Sequence, residues 1–337
     1  MYQRGFPAVG DLDATGELQA SLHDQARQAR RERFGHSVFV RGVVEISNYC
    51  RENCHYCGMR RDNRTLSRFR ADLDALADLL IHHRPASITD INIQAGEDPV
   101  AVREVAIPLI RLLRKETHLG ISVCLGTLTQ KMSSELLSAG ATTYIIKFEL
   151  SNPAQYEALQ APGSLEERLE HIRWLAAHGW RVSSGFISGL PGQSGEDSLN
   201  NIRTAVELPL IGCSVSPFVP GESTPLFESE GAGIERTLNS MALLRILRPD
   251  WVIPAVSALN IVGPNSGYRR GLQTGANLCT INLTPDTVRD NYLLYKRDRF
   301  IMNEERILKA ISDEGLTPSQ QSLADHLGST VAHQPAA

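Results

Sequence analysis

Short apolar runs alternate along most of this chain with segments whose apolar positions recur every three to four residues. The apolar runs read as strands at Val43–Ser47, Asp90–Ile93, Ile121–Leu125, Thr143–Phe148, Arg181–Ile187, Cys213–Pro217, Trp251–Val256 and Asn277–Ile281. Each is short and mostly apolar, as a strand covered on both faces is. The intervening segments carry helical stripes, Leu73, Leu76, Leu79 and Leu80 in one and Leu169, Ile172 and Leu175 in another. Ser164-Leu165-Glu166-Glu167 has the capping-box pattern, in which a hydroxyl and a carboxylate satisfy the first free amides of a helix. Upstream, residues 17–34 read as a charged helix with Leu18, Leu22, Ala26 and Ala29 on one face. Eight strand–helix units predict an α/β fold, a single (β/α)8 barrel of TIM type over residues 36–314, behind an N-terminal helical extension over residues 1–35. An open doubly wound sheet fits the same pattern, because closure leaves no mark on a sequence. After Glu314 the chain turns to Ser, Gln, His, Pro and Ala, and residues 315–337 are predicted to be a disordered tail.

Composition narrows the function classes. A chain of 337 residues suits one barrel, and 42% hydrophobic residues suffice for a large core. The formal net charge of −4 gives no reason to expect nucleic acid or an anionic membrane as partner. No apolar run approaches the roughly 20 residues that span a bilayer. Met1-Tyr2-Gln3-Arg4-Gly5 is not followed by an apolar signal core, so a cytoplasmic location is expected. In such a reducing compartment, six cysteines point to metal or catalysis before disulfides.

Three of those cysteines stand together directly after the first strand, in Asn48-Tyr49-Cys50-Arg51-Glu52-Asn53-Cys54-His55-Tyr56-Cys57-Gly58, with the spacing C-x₃-C-x₂-C. A loop at the C-terminal end of a barrel strand is where this fold carries its chemistry. Thiolates are the usual ligands of iron–sulfur clusters. Three of them on a [4Fe–4S] cubane leave one iron free to chelate the amino and carboxylate groups of S-adenosylmethionine (SAM). An electron from the cluster then cleaves the S–C5′ bond to a 5′-deoxyadenosyl radical. A zinc site would want a fourth Cys or His, and a disulfide would leave an odd thiol.

C-x₃-C-x-(aromatic)-C after a first strand resembles the signature of the radical SAM superfamily, with Tyr56 as the aromatic. From about Arg30 to Glu314 the chain is similar to the branch that holds biotin synthase, methylornithine synthase and the [FeFe]-hydrogenase maturase family HydE, and most similar to the last. The likeness is carried by Ser47-Asn48-Tyr49-Cys50, Cys57-Gly58-Met59-Arg60-Arg61-Asp62-Asn63 and Gln94-Ala95-Gly96-Glu97-Asp98-Pro99. It continues in Phe148-Glu149-Leu150-Ser151-Asn152-Pro153, Gly189-Leu190-Pro191-Gly192-Gln193 and Thr274-Gly275-Ala276-Asn277.

The resemblance implies that Cys50, Cys54 and Cys57 hold the cluster. It implies that Gln94, Ala95, Gly96 and Glu97 bind the SAM amino group through backbone carbonyls and the Glu97 carboxylate. Glu149 would take the ribose hydroxyls, and Arg168 would pair with the SAM carboxylate, with Lys147 a weaker candidate for that group. Ile187 would flank the adenine ring, and Tyr56 would hold the adenine edge with its backbone. Plainer readings stand beside these: a strand-to-helix turn at Gly96, a solvated helix face at Arg168, and core packing at Tyr56. The family relation further implies a small-molecule substrate inside the barrel and a flavodoxin- or ferredoxin-type electron donor. Ser183 replaces a cysteine that biotin synthases use for a second cluster, and Cys124 is then expected to be a buried small hydrophobe. The loops 217–225 and 260–270 are rich in Pro, Gly, Ser and Asn, and their Arg269 and Arg270 are candidates to meet an anionic substrate group. A methylornithine-synthase-like mutase and a non-catalytic iron–sulfur or zinc scaffold are the rival functions.

Overall fold

The computed structural model describes residues 5–296 and 301–331. Helix α1, Gly16–Phe34, precedes the strands and buries Leu22, Ala26, Arg30 and Phe34. Leu18, expected on that stripe, is 75% exposed. Seven parallel strands follow: β1 Ser37–Ser47, β2 Asp90–Ala95, β3 Gly120–Cys124, β4 Thr143–Ile145, β5 Arg181–Ser188, β6 Gly212–Pro217 and β7 Leu278–Asn282. They pair in the order β6-β5-β4-β3-β2-β1-β7.

The expected strand Trp251–Val256 is reduced to two isolated parallel bridges, Gly212↔Val252 and Pro254↔Leu278. Pro254 has no N–H to give a ladder, so regular pairing stops there. Backbone bonds still carry the ring across this gap, from Cys213 N–H to Val252 O at 3.1 Å and from Asn277 N–H to Ile253 O at 2.9 Å. Arg245, on helix α2 (Ile234–Leu247), holds the same segment from outside. It donates to the carbonyls of Gly275, Pro249 and Trp251 and to Asn277 Oδ1.

The predicted tail is a correction. Thr317–Pro318 forms strand β8 on the early end of β1, and Leu323–Val331 forms helix α3. Leu323 and Leu327 pack with Phe34, Phe39, Val252 and Leu278, so a few leucines outweigh a polar composition. Asp90 accepts the first amides of α3, from Leu323 at 2.8 Å and Ala324 at 3.2 Å, which seats the helix across the floor of the ring. Residues 332–337 of that predicted tail lie outside the described residues.

Candidate active site

β1 ends at Ser47 and the chain turns at once into the three-cysteine loop. Asn48 fixes the turn: its side-chain amide donates to Ser67 O and Asn291 O, both at 2.7 Å, and its Oδ1 accepts the Phe69 N–H at 2.7 Å. Inside the loop the Cys57 N–H donates to Cys54 O at 3.2 Å. All three thiols are free, Cys54 buried and the others half-buried. Burial raises the pKa of each, Cys57 to about 12. Thiols held this way ionise when a bound cationic centre takes up their charge. The Glu97 N–H points at Cys50 Sγ, 3.4 Å away, as a donor to a metal-bound thiolate does. The donor set, three free thiols in one loop with an amide aimed at one sulfur, fits the thiolate ligation of an iron–sulfur cluster.

Gly96 lets the end of β2 lie against this loop. A Cβ at Gly96 would stand 2.3 Å from Tyr49 O and 2.9 Å from Cys50 Cβ. The next residue, Glu97, is claimed by the protein itself. Its Oε1 accepts from Arg168 Nη2 at 2.9 Å and Thr127 N–H at 3.0 Å, and its Oε2 from Arg51 Nη2 at 3.0 Å. The structure thus joins two residues that the sequence had assigned separately to SAM. Arg168 lies on helix Leu165–Ala177, which starts with the expected capping box, and is only 3% exposed, so it is not a solvated face. Burial works against its charge, but Glu97, Tyr156 and Glu149 together outweigh that and hold its pKa above the ordinary value. Its Nε has no hydrogen-bond partner.

Past β4 the backbone leaves regular geometry. Glu149 has φ 65°, a left-handed conformation rare for a side chain with a Cβ and typical of functional sites. Backbone bonds to β5 hold it there, Glu149 N–H to Gly185 O at 3.2 Å and Ile187 N–H to Glu149 O at 2.8 Å. Burial raises the Glu149 pKa, opposed by Lys147 and Arg168. Lys147 donates to Ser216 Oγ at 3.0 Å; burial lowers its pKa, and Glu149 together with Tyr295, Cys124 and Cys213 more than reverses that.

Two cavities meet here. One of about 120 Å³ is bounded by Tyr56, Cys57, Glu149, Ile187 and Phe218. The other, about 200 Å³, is the barrel lumen, faced by Arg41, Glu45, Asn92, Cys124 and Ser183. Lys147 and Ser216 line both. Cys124 therefore faces the lumen and is half-buried, unlike the core thiols Cys213 and Cys279.

Arg269 and Arg270 do not face the lumen. Arg269 pairs with Glu314 at 2.9 Å and Arg270 with Glu235 at 2.7 Å. Segments Ala258–Val262 and Gly267–Gln273 are helical, not open loops. Among the described residues the cations that line the lumen are Arg41 and Lys147. Arg41 was missed because β1 begins well before Val43. The readable signal was a period of two, Arg41, Val43, Glu45, which puts charged residues on one face of an apolar strand. Arg51, the second partner of Glu97, carried no sequence signal beyond its place between two cysteines.

A parallel α/β ring with three thiols at the carboxyl end of its first strand defines a radical SAM barrel, and residues 44–205 match the family model described as the Radical SAM superfamily. The chain belongs to that superfamily, and is a SAM-dependent enzyme working with a [4Fe–4S] cluster. More particularly, it is 32% identical over 275 residues to the [FeFe] hydrogenase maturase subunit HydE of Thermotoga maritima, covering 82% of this chain and 78% of that protein. It is 25% identical over 323 residues to 3-methylornithine synthase of Methanosarcina acetivorans, covering 94% of this chain and 89% of that one. In fold it is similar to the crystal structure of methylornithine synthase PylB, with a TM-score of 0.81 at 23% identity, covering 95% of this chain and 96% of that one. No helix among the described residues is long and apolar enough to cross a membrane.

Proposed function

We propose that this chain is a HydE-type maturase: it cleaves SAM reductively and turns the resulting radical on a small, anionic precursor of the hydrogenase diiron centre, held in the barrel lumen. One observation carries the reading. The cavity beside Cys57 and the lumen share Lys147 and Ser216, so a radical formed at the first has a path to a ligand in the second. When bound and reduced, the cluster supplies the electron for SAM cleavage. Cys50, Cys54 and Cys57 are its ligands. Gln94, Ala95 and Gly96 at the end of β2 offer backbone to the SAM amino group. Arg168, oriented by Glu97, keeps its unpartnered Nε for the SAM carboxylate. Glu149 accepts the ribose hydroxyls, and Tyr56 and Ile187 wall the adenine. Arg41 and Lys147 bind the anionic end of the substrate, as buried guanidinium and ammonium groups do. A flavodoxin- or ferredoxin-type protein supplies the electron in the cytoplasm. The test is restoration of activity in an [FeFe]-hydrogenase maturation system lacking its own HydE. Failure there, with vigorous 5′-deoxyadenosine formation on a free amino acid, would instead favour a methylornithine-synthase-like mutase.

A further inference from the structure

Three of the cysteines stand in the loop after β1, and Cys213 and Cys279 are buried in the core. Cys124 lines the lumen instead, and nothing so far gives its thiol a task. Strand β3 starts at Gly120, against Ala324 of helix α3, and ends at Cys124. Cys124 pairs in register with Gln94, two residues before Gly96. The thiol therefore stands at the end of the lumen nearer the Gly96 turn. Burial pushes the Cys124 thiol up, and Lys147 and Arg41 pull it down without cancelling that. The sulfur thus keeps its hydrogen at neutral pH.

Arg41 shows that this part of the lumen is built for a guest. Its Nε donates to Thr280 Oγ1 at 3.1 Å, and it makes no salt bridge among the described residues. A guanidinium enclosed in this way calls for an anionic ligand. Lys147, at the passage to the cavity beside Cys57, offers a second cation. The charges of both reach Cys124, so a guest held between them lies against its thiol.

Much of the surrounding wall holds its hydrogens strongly, in hydroxyls such as Ser122, Ser183 and Ser214 and in the amides of Asn92 and Gln94. An S–H bond is weaker than an alkyl C–H bond. A carbon radical therefore takes a hydrogen atom from a thiol downhill, but from a hydroxyl or amide only uphill. The rival donors in the lumen are phenols, and that of Tyr268 is turned to Thr280 O at 3.5 Å.

We propose that Cys124 is a further catalytic residue, which gives a hydrogen atom to a carbon radical formed in the lumen. The inference rests on the radical reading proposed above. In the step the S–H bond breaks, a C–H bond forms, and a thiyl radical is left on Sγ. One electron from the same class of protein carrier that feeds the cluster, with a proton from solvent, restores the thiol. Each turnover then consumes one SAM and two electrons, one to cleave SAM and one to return the thiol.

The experiment supplies the full chain, its cluster reconstituted, with SAM and reduced flavodoxin in D2O, and adds no substrate. The thiol exchanges its hydrogen with solvent. A 5′-deoxyadenosyl radical quenched by Cys124 then becomes singly deuterated 5′-deoxyadenosine, read by mass spectrometry as a fraction of the total. The wild type should show this label, C124S and C124A should lose it, and Y268F should keep it. A second readout needs no cluster. In the apoprotein, methyl methanethiosulfonate, a small neutral thiol reagent, should tag Cys124 and leave Cys213 and Cys279 unreacted in a peptide map. An equal deuterated fraction in the wild type and both Cys124 variants would overturn the donor. So would loss of the label in Y268F alone, loss of bound iron in both Cys124 variants, or a Cys124 as unreactive as Cys213 and Cys279. A wild type that carries the label yet fails to restore hydrogenase maturation would strike the maturase reading and support the donor. A wild type that makes no 5′-deoxyadenosine at all would remove the radical reading, and the donor with it.

Discussion

Cys50, Cys54 and Cys57 are each expected to be irreplaceable, since a cubane with two protein thiolates is poorly held. Changing any one to Ala should abolish the absorbance near ~400 nm and cut bound iron well below ~4 per chain. Full iron and full SAM cleavage in one variant would strike that cysteine from the ligand set. Glu149 is proposed to do different work. Glu149→Gln should leave the cluster spectrum intact and weaken SAM binding by about 1.5–3 kcal/mol, roughly ten- to a hundredfold. Equilibrium binding of SAM to the reconstituted protein measures this, and unchanged affinity would refute the ribose role.

His171 provides a pH signature at the same scale. Burial, with the charge of Arg168 second, lowers its pKa to about 4, while the unfolded imidazole titrates near 6.5. Between those values the unfolded chain takes a proton that the native one refuses, so stability falls as pH drops from about 6.5 to about 4. Urea midpoints of the apoprotein across that window should slope less in His171→Phe than in the wild type; parallel slopes would contradict the assignment. Residue by residue, the candidacy of the thiols, Glu149 and Arg168 was legible from motif and resemblance. The Glu97–Arg168 pair was not, because a contact between β2 and a helix two strands later leaves no local trace.

At the scale of elements, the seven strands from β1 to β7 were legible from apolar runs, although β1 starts earlier and β4 stops sooner than the pattern suggests. Trp251–Val256 failed as a strand because a proline cannot sustain a ladder, and its place in the ring is kept by Arg245 instead. Arg245 is fully buried, and desolvation lowers its pKa to about 9. Arg245→Met should leave the carbonyls of Gly275, Pro249 and Trp251 without this donor and cost at least about 3 kcal/mol of unfolding free energy. A denaturant titration of the apoprotein reads this directly, and a loss below ~1 kcal/mol would mean that the segment holds itself. Gly96→Ala tests the other seam of the barrel. Its Cβ cannot coexist with Tyr49 O, so the loop must shift and cluster incorporation should fail although the chain still folds. Normal iron loading in that variant would show that β2 and the loop need not touch.

For the whole molecule, helix α3 turns a ring of strands into a cup. Its first amides are pinned to Asp90 and Leu323 forms part of the lumen wall. A cup is filled from its rim, and the rim here carries the cysteine loop and the proposed SAM site. Whatever occupies the lumen must pass that rim before SAM settles across it, and the product must wait for the spent nucleoside to leave. Turnover should therefore follow a compulsory order, substrate first and SAM second. Preincubation with saturating SAM should delay the first turnover, whereas preincubation with substrate should not. Equal first turnovers under both regimes would mean that molecules enter through the base and that the C-terminal helix is no stopper at all.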